Sequence, residues 1–367
     1  MKNKLYRAGM FLLVILWASL ALTAWFSPAK QLSESERRPL AQFPEFTAST
    51  LFSGDFMEKF GNYSLDQFPL RDGFRQIKSV FHLYGLGQKD NNGIYLADGY
   101  AVKQEYPLNQ SSLDHALNRF DRIYEKYLSG SDSAIHMAIV PEKGFYLAES
   151  AGQLGLDYGS LKRALTEGMP WAEHLDLTDA LTAEDYYQTD IHWRQERLLN
   201  AAKKVCEALG IPAPRQEDYT VTALQRPFYG VYYGQAALPM EPEIMYILQS
   251  DLLEQCRVYD YETGTYGEIY DMTKLDSRDL YDVFLSGSRS LLTIENPKGP
   301  ADKELILFRD SFGSSIAPLL VQGYSRVTLV DIRYIQIDVL DRFLEWNGQD
   351  VLFLYSSSIL NNSETIK

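Results

Sequence analysis

From Gly9 to Phe26 the chain reads GMFLLVILWASLALTAWF, 18 residues without a charge, and Lys2, Lys4 and Arg7 precede it. A run of this length is close to a bilayer crossing, and basic residues ahead of it hold the amino terminus on the cytoplasmic side. The run therefore constrains everything that follows, because the bulk of the chain must fold outside the cytoplasm. Two fates for the run stay open. ALTA at 21–24 loosely fits the small-residue cleavage site of a signal peptide. Against that, the run exceeds the ~7–15 residues of a signal core and ends in Trp25 and Phe26, residue types that anchor at a membrane interface. A retained anchor fits better, giving a single-pass cell-membrane protein with its main domain extracellular.

The remaining residues suffice for one large domain or two modest ones in a chain of 367. Basic residues number 35 against 49 acidic, a formal charge of −14, and no basic stripe is visible, which argues against a nucleic-acid groove. The 25 tyrosines suit surfaces that stack on sugars, although the same residues also fill cores and sheets. Cys206 and Cys256 are the only cysteines. They exclude a thiolate zinc site and leave a single disulfide open.

Four stretches follow from composition and periodicity. Residues 1–28 are the anchor or an uncleaved signal. Residues 29–90 are a membrane-proximal spacer, SPAKQLSESERRPLAQFPEF, followed by a helical segment with aromatics at spacings of three and four. Residues 91–360 form the main domain, and 361–367 a polar tail. Within the main domain, NNGIYLADGYAV carries the turn signals of a hairpin. SAIHMAIVP, RSLLTIEN, KELILF, SRVTLV and DVLFLY read as strands, and SLDHALNRFDRIYEKYL and SLKRALTEG as helices. HWRQERLLNAAKKVCEALG reads as a helix from residue 192 to Gly210, opened by Thr189 or Asp190. The alternation predicts an α/β domain with a mostly parallel sheet flanked by helices, whose ligands sit at the carboxyl ends of the strands.

Two places carry chemistry. In LILFRDSFGSS, Ser311 follows an apolar strand at the mouth of a helix, where an open sheet exposes a nucleophile and the amides of Ser311 or Phe312 can hold an oxyanion. In TDIHW, Asp190 and His192 stand two apart, so an extended backbone points both side chains the same way, as a base and the carboxylate that orients it require. Each place also has a structural reading, as a helix cap with an ordinary neighbour. The remaining histidines show no metal-ligand spacing. A hydrolase using a metal held by Asp190 and His192 lacks a third ligand.

Taken together, TDIHW at 189–193, YDVFLSGSRSLLTIENP at 281–297, RDSFGSSIAPLL and YSRVTLVDIRYI at 309–335 resemble the DHHW family of Gram-positive bacteria, relatives of the alginate O-acetylation proteins AlgJ and AlgX. SERRPLAQFPEF, DQFPLRDGF and IVPEKGFY extend the resemblance over most of the chain. It implies an SGNH-hydrolase-like fold with an Asp-His-Ser triad on Asp190, His192 and Ser311. Trp193 and Arg309 become substrate-binding candidates, and Gly230 a candidate oxyanion donor beside Ser311 and Phe312. Three positions depart from the pattern: Ile191 where the family name implies histidine, Arg309 where lysine is expected, and Ser314 where asparagine is expected.

The implied function is an extracytoplasmic serine O-acetyltransferase or acetylesterase acting on a cell-surface polysaccharide. A membrane-bound O-acyltransferase partner would supply the acetyl groups, and no further cofactor or metal is implied. The alternative is a degenerate carbohydrate-binding or scaffold component of a polysaccharide modification complex.

Overall fold

The computed structural model describes residues 2–33 and 35–367; Met1 of the expected anchor and Glu34 of the expected spacer lie outside the described residues. The chain divides into two units, Met1–Asn92 with Tyr233–Pro239, and Gly93–Tyr232 with Met240–Lys367.

In the first unit, helix α1 (Lys2–Phe26) contains one stretch, Tyr6–Phe26, long and apolar enough to cross a membrane. Strands β1 (Leu32–Ser33) and β2 (Arg38–Pro39) follow, then helices α2 (Ala48–Ser53), α3 (Asp55–Asp66) and α4 (Arg71–Val80). The expected spacer is pinned to α3. Arg38 clamps Asp66 through both carboxylate oxygens, at 2.9 and 2.6 Å, and holds that carboxyl down at about 2.

The second unit is built on an eight-stranded sheet. It opens with a hairpin of β3 (Ile94–Ala97) and β4 (Tyr100–Lys103), turned by Asp98 and Gly99, both at positive φ, as the Asp-Gly signal requires. The sheet contains β5 (Ile135–Val140), β6 (Glu173–Asp176), β9 (Arg257–Asp260), β10 (Thr265–Gly267), β11 (Leu291–Glu295), β12 (Glu304–Arg309), β13 (Arg326–Val330) and β14 (Asp350–Ser356). A separate antiparallel pair is formed by β7 (Thr220–Phe228) and β8 (Glu243–Gln249). The sheet order is β10-β9-β11-β13-β12-β14-β5-β6. The five strands from β13 to β6 are parallel, and β9 to β11 add an antiparallel edge.

The central strands read as unbroken apolar runs because both faces are covered. Leu305 and Leu307 face one core, shared with Ala201, Ala202 and Val205 of the helix Leu199–Ala208. Ile306 and Phe308 face the other, shared with Phe120 of helix α5 (Gln110–Ile123) and Leu161 of the helix Tyr158–Gly168. The chain leaves β12 for β13 on one side and returns to β14 on the other. That reversal makes the carboxyl end of β12 a topological switch point, the place where ligands bind in open α/β sheets.

Two local expectations change, and the open question of the cysteines is answered. The helix expected from residue 192 begins only at Leu199, after a 3-10 turn over Gln195–Arg197. The reason is tertiary: Gln195 is buried, donates to the Ser315 carbonyl at 2.9 Å and accepts the Leu248 N–H at 2.9 Å, so its side chain fixes a non-helical entry. The tail at 361–367 packs onto the domain, with Ser363 and Ile366 buried and the Lys367 N–H bonded to the Ile332 carbonyl. Cys206 and Cys256 are buried free thiols, and burial pushes them up to about 12 and about 11.

Candidate active site

Ser311 follows β12 in a turn that Asp310 organises. One Asp310 oxygen accepts the Phe312 N–H at 3.0 Å, and the other accepts the Ser356 N–H at the end of β14 at 2.7 Å. A short helix, Gly313–Ile316, follows. Ser311 is half-buried while its neighbours on both sides are buried, so the serine alone is offered to solvent there.

The segment from Tyr186 to Trp193 folds back on itself as a tight loop. Its ends form a bridge, Tyr186 with Trp193, and the Tyr187 N–H bonds to the His192 carbonyl. Two side chains of opposite charge, the buried Lys143 and the half-buried Glu243, satisfy the backbone between. Lys143, in the PEK turn after β5, donates to the Tyr187 carbonyl at 2.8 Å and the Gln188 carbonyl at 3.2 Å. Glu243 accepts the Gln188 N–H at 2.7 Å and the Thr189 N–H at 2.8 Å. Burial lowers Lys143 to about 8, against the pull of Asp190, Glu243 and Glu142.

This loop delivers His192 to Ser311. The Ser311 Oγ lies 2.7 Å from His192 Nε2, and His192 Nδ1 lies 2.6 Å from Asp190 Oδ2. An ionised carboxylate only accepts hydrogen bonds, so Nδ1 carries the proton and Nε2 is left to accept from the serine hydroxyl. The other Asp190 oxygen accepts the Val231 N–H at 2.7 Å. Tyr281 stacks flat on the imidazole, centroid to centroid 3.8 Å, and Phe312 flanks it at 5.1 Å. Asp190 and His192 are both buried, so the imidazole is fixed by a carboxylate, two rings and the serine.

Four sequence-derived roles are corrected by these positions. Trp193 is fully buried in the core, its Nε1 donating to Ser315 Oγ at 2.7 Å, so it has no surface to offer a substrate. Arg309 is buried as well, its guanidinium 3.5 Å from Asp331, a charge pair beneath the serine turn. The Phe312 amide is taken by Asp310 and the Gly230 amide by Thr189 Oγ1 at 2.9 Å, so neither is free for an oxyanion. The Ser311 N–H has no hydrogen-bond partner among the described residues.

Gly230 instead has a packing role. A Cβ there would lie 2.2 Å from the Thr189 carbonyl oxygen and 2.3 Å from the Asp190 N and Cα. Only glycine lets this loop approach closely enough for the next residue, Val231, to reach the Asp190 carboxylate. Lys143, Glu243 and Tyr281 were not singled out from the sequence. Lys143 and Tyr281 carry the available signal, since each lies in a stretch of the motif resemblance, IVPEKGFY and YDVFLSGSRSLLTIENP.

No family model matches the chain, and no curated protein matches it. Solved structures do. A DHHW family protein from Eubacterium siraeum matches with a TM-score of 0.61 at 20% identity, covering 76% of this chain and 95% of that one. Bacillus cereus PatB1 matches with a TM-score of 0.56 at 18% identity, over 75% of this chain and 98% of its own. PatB1 with a sulfonyl adduct matches with a TM-score of 0.56 at 17% identity, over 73% and 95%. These similarities establish a shared α/β fold, and the neighbours include a DHHW family protein, as the motifs imply.

Proposed function

We propose that this chain is a membrane-anchored serine O-acyltransferase or acetylesterase of SGNH type, acting outside the cytoplasm on a cell-surface polysaccharide. One observation carries the reading: the unbroken relay from Ser311 Oγ through both nitrogens of His192 to Asp190. A serine hydroxyl becomes nucleophilic when an oriented imidazole takes its proton, and this arrangement supplies both parts.

In the proposed reaction, Ser311 Oγ attacks the acetyl carbonyl while its proton passes to His192 Nε2. The Ser311 N–H donates to the developing oxyanion. Collapse of the tetrahedral intermediate breaks the bond to the departing alcohol, which leaves with the proton from Nε2, and an acetyl-serine remains. A sugar hydroxyl, or water, then loses its proton to His192 and attacks the acetyl-serine, releasing product and restoring Ser311. Asp190 stays ionised throughout and stabilises the imidazolium. Transfer and hydrolysis share this intermediate and differ only in which hydroxyl reaches it.

The polysaccharide substrate, and a membrane-bound O-acyltransferase that delivers acetyl groups, rest on the motif resemblance. The sulfonyl adduct held by PatB1 fits the same chemistry, since sulfonyl reagents capture activated hydroxyls. In the proposed topology, α1 is retained with its basic amino-terminal end inside and residues 29–90 and 91–360 outside. A scaffold reading is favoured by one observation, that two of the three oxyanion candidates are engaged elsewhere.

The test uses the purified full-length protein and a chromogenic acetyl ester. Release of chromophore that Ser311→Ala abolishes, with an acetyl group trapped on Ser311 by mass spectrometry, is the expected result. Equal rates for the two proteins, with no acyl-serine, would leave the scaffold reading in its place.

A further inference from the structure

Helix α4 packs inside out. Its polar face is turned inward: Ser79 is fully buried and donates to the Ala236 carbonyl at 2.5 Å, and Arg75 donates to the Gly234 carbonyl at 2.6 Å. Arg71 and Arg75 both pair with Glu36, at 2.6 and 3.2 Å. The apolar face points outward. Leu70, Phe74, Ile77, Phe81 and Tyr84 recur at spacings of three and four along α4 and the turn after it, and all are exposed, Ile77 to 67% and Tyr84 to 72%. Burying such a stripe is what ordinarily makes a helix form in water, so a stripe held outward by buried polar contacts calls for an apolar neighbour.

The tether limits where that neighbour is. The span ends at Phe26, and only four residues later both backbone groups of Lys30 are held by the Gln67 amide, at 2.8 Å each. Four residues reach at most ~14 Å. Gln67 caps α3 and stands just ahead of α4. The start of α4 is thereby kept within the reach of the headgroup zone, where an amphipathic helix sinks its apolar face by ~5–10 Å. Trp25 and Phe26, exposed at the end of the span, are residue types of the same zone.

We propose that the apolar face of α4 rests on the lipid of the bilayer that holds α1, so that the membrane-proximal unit is seated on the membrane. The proposal relies on α1 being retained as an anchor and not on the chemistry at Ser311. With a net charge of −14 on the chain, attraction to anionic lipid is not required, and neutral phosphatidylcholine should suffice.

The test reconstitutes the full-length protein, with α1 verified by intact mass, into phosphatidylcholine vesicles. Ile77→Cys provides a site for an environment-sensitive dye, because Cys206 and Cys256 are buried. Lipid carrying a nitroxide just below the headgroup is expected to lower the dye emission about two-fold or more, with iodide quenching well below that of free dye. Placing Phe74→Asp and Phe81→Asp in the labelled protein should reverse both readings while the thermal unfolding midpoint is maintained, since both side chains are exposed. Iodide quenching equal to free dye, with no effect of the nitroxide, would overturn the proposal and leave this face open to water.

Discussion

The phenol ring of Tyr281 lies flat on the imidazole of His192, with planes 9° from parallel and centroids 3.8 Å apart. Its hydroxyl lies 2.7 Å from Ser315 Oγ, which also accepts the Trp193 Nε1–H. The histidine is thus backed by a ring that is itself fixed to the helix after Ser311. Tyr281→Phe keeps the stack and should hold kcat within a few-fold of wild type. Tyr281→Ala removes the backing and leaves a cavity, expected to cost about 3–5 kcal/mol of stability. Loss of imidazole alignment by about 1 Å is expected to lower kcat by up to ~100-fold with a smaller change in KM. Thermal unfolding and ester hydrolysis on both variants check this, and equal kcat for Tyr281→Ala and wild type would remove Tyr281 from any positioning role.

Gly230 makes a second, sharper case. Gly230→Ala puts a methyl 2.2 Å from the Thr189 carbonyl oxygen, which is backbone and cannot swing aside. The loop must part from residues 189–190, and the Val231 N–H then leaves the Asp190 carboxylate. A loss of about 1–3 kcal/mol is expected from the overpacking, together with a fall in ester turnover. Gly61→Ala is the matched control: it lies within α3 with open space around it, and should be neutral or raise stability by up to ~1 kcal/mol.

Lys143 ties the histidine loop to the turn after β5 and does so as a fully buried cation. Burial lowers its folded-state value from 10.5 to about 8. Below about pH 8 the lysine is charged in both folded and unfolded chains, and the full cost of its burial is present. Between pH 8 and 10.5 the unfolded chain holds the proton more tightly, so stability rises with pH across that window. Relative to Lys143→Met, which lacks this titration, wild type should gain on the order of 3 kcal/mol between those limits. Denaturant melts of the two proteins at each pH isolate the effect from the many tyrosines that begin to ionise near pH 10. A constant difference between them would show that Lys143 does not titrate as a buried cation.

The sheet was the legible part of this fold, for a simple reason. Strands β5, β12, β13 and β14 are buried on both faces, so they appear as short apolar runs bounded by turn residues, and nothing else of that length looks the same. What surrounds Ser311 was less legible. Trp193 adjoins His192 and Arg309 stands two residues before Ser311, and nearness in sequence suggests nearness to substrate. Trp193, the next residue of an extended stretch, points away from His192, and Arg309 ends β12 before the turn that Asp310 organises, so both point into the protein. Asp331, at the end of β13 in TLVDIR, is the counter-charge that makes a buried Arg309 tolerable, and the pairing needs the strand order to be seen. The late start of the helix at Leu199 is of the same kind, because Gln195 is bonded to residues about 50 and 120 positions away, and local periodicity carries no trace of such partners.

Glu142, next to Lys143, has the opposite sign to a stabilising carboxylate. It is buried, its Oε1 has no hydrogen-bond partner, and its own N–H is held by the Tyr158 hydroxyl at 2.9 Å. Burial first, then the nearby charges of Glu105 and Asp310, push its carboxyl well above the ordinary 4.5. A raised folded-state value means that the folded chain binds the proton more tightly than the unfolded one. Stability is therefore lost as pH rises from about 4.5 and recovered on acidification within that window. Glu142→Gln keeps the shape and cannot ionise, so it should raise the unfolding midpoint at pH 7 and give no advantage near pH 4.5. Thermal melts of both proteins from pH 4.5 to 8 test this. A variant that is less stable than wild type at pH 7 would mean that Glu142 is ionised in the folded protein, with a cation beside it that satisfies Oε1.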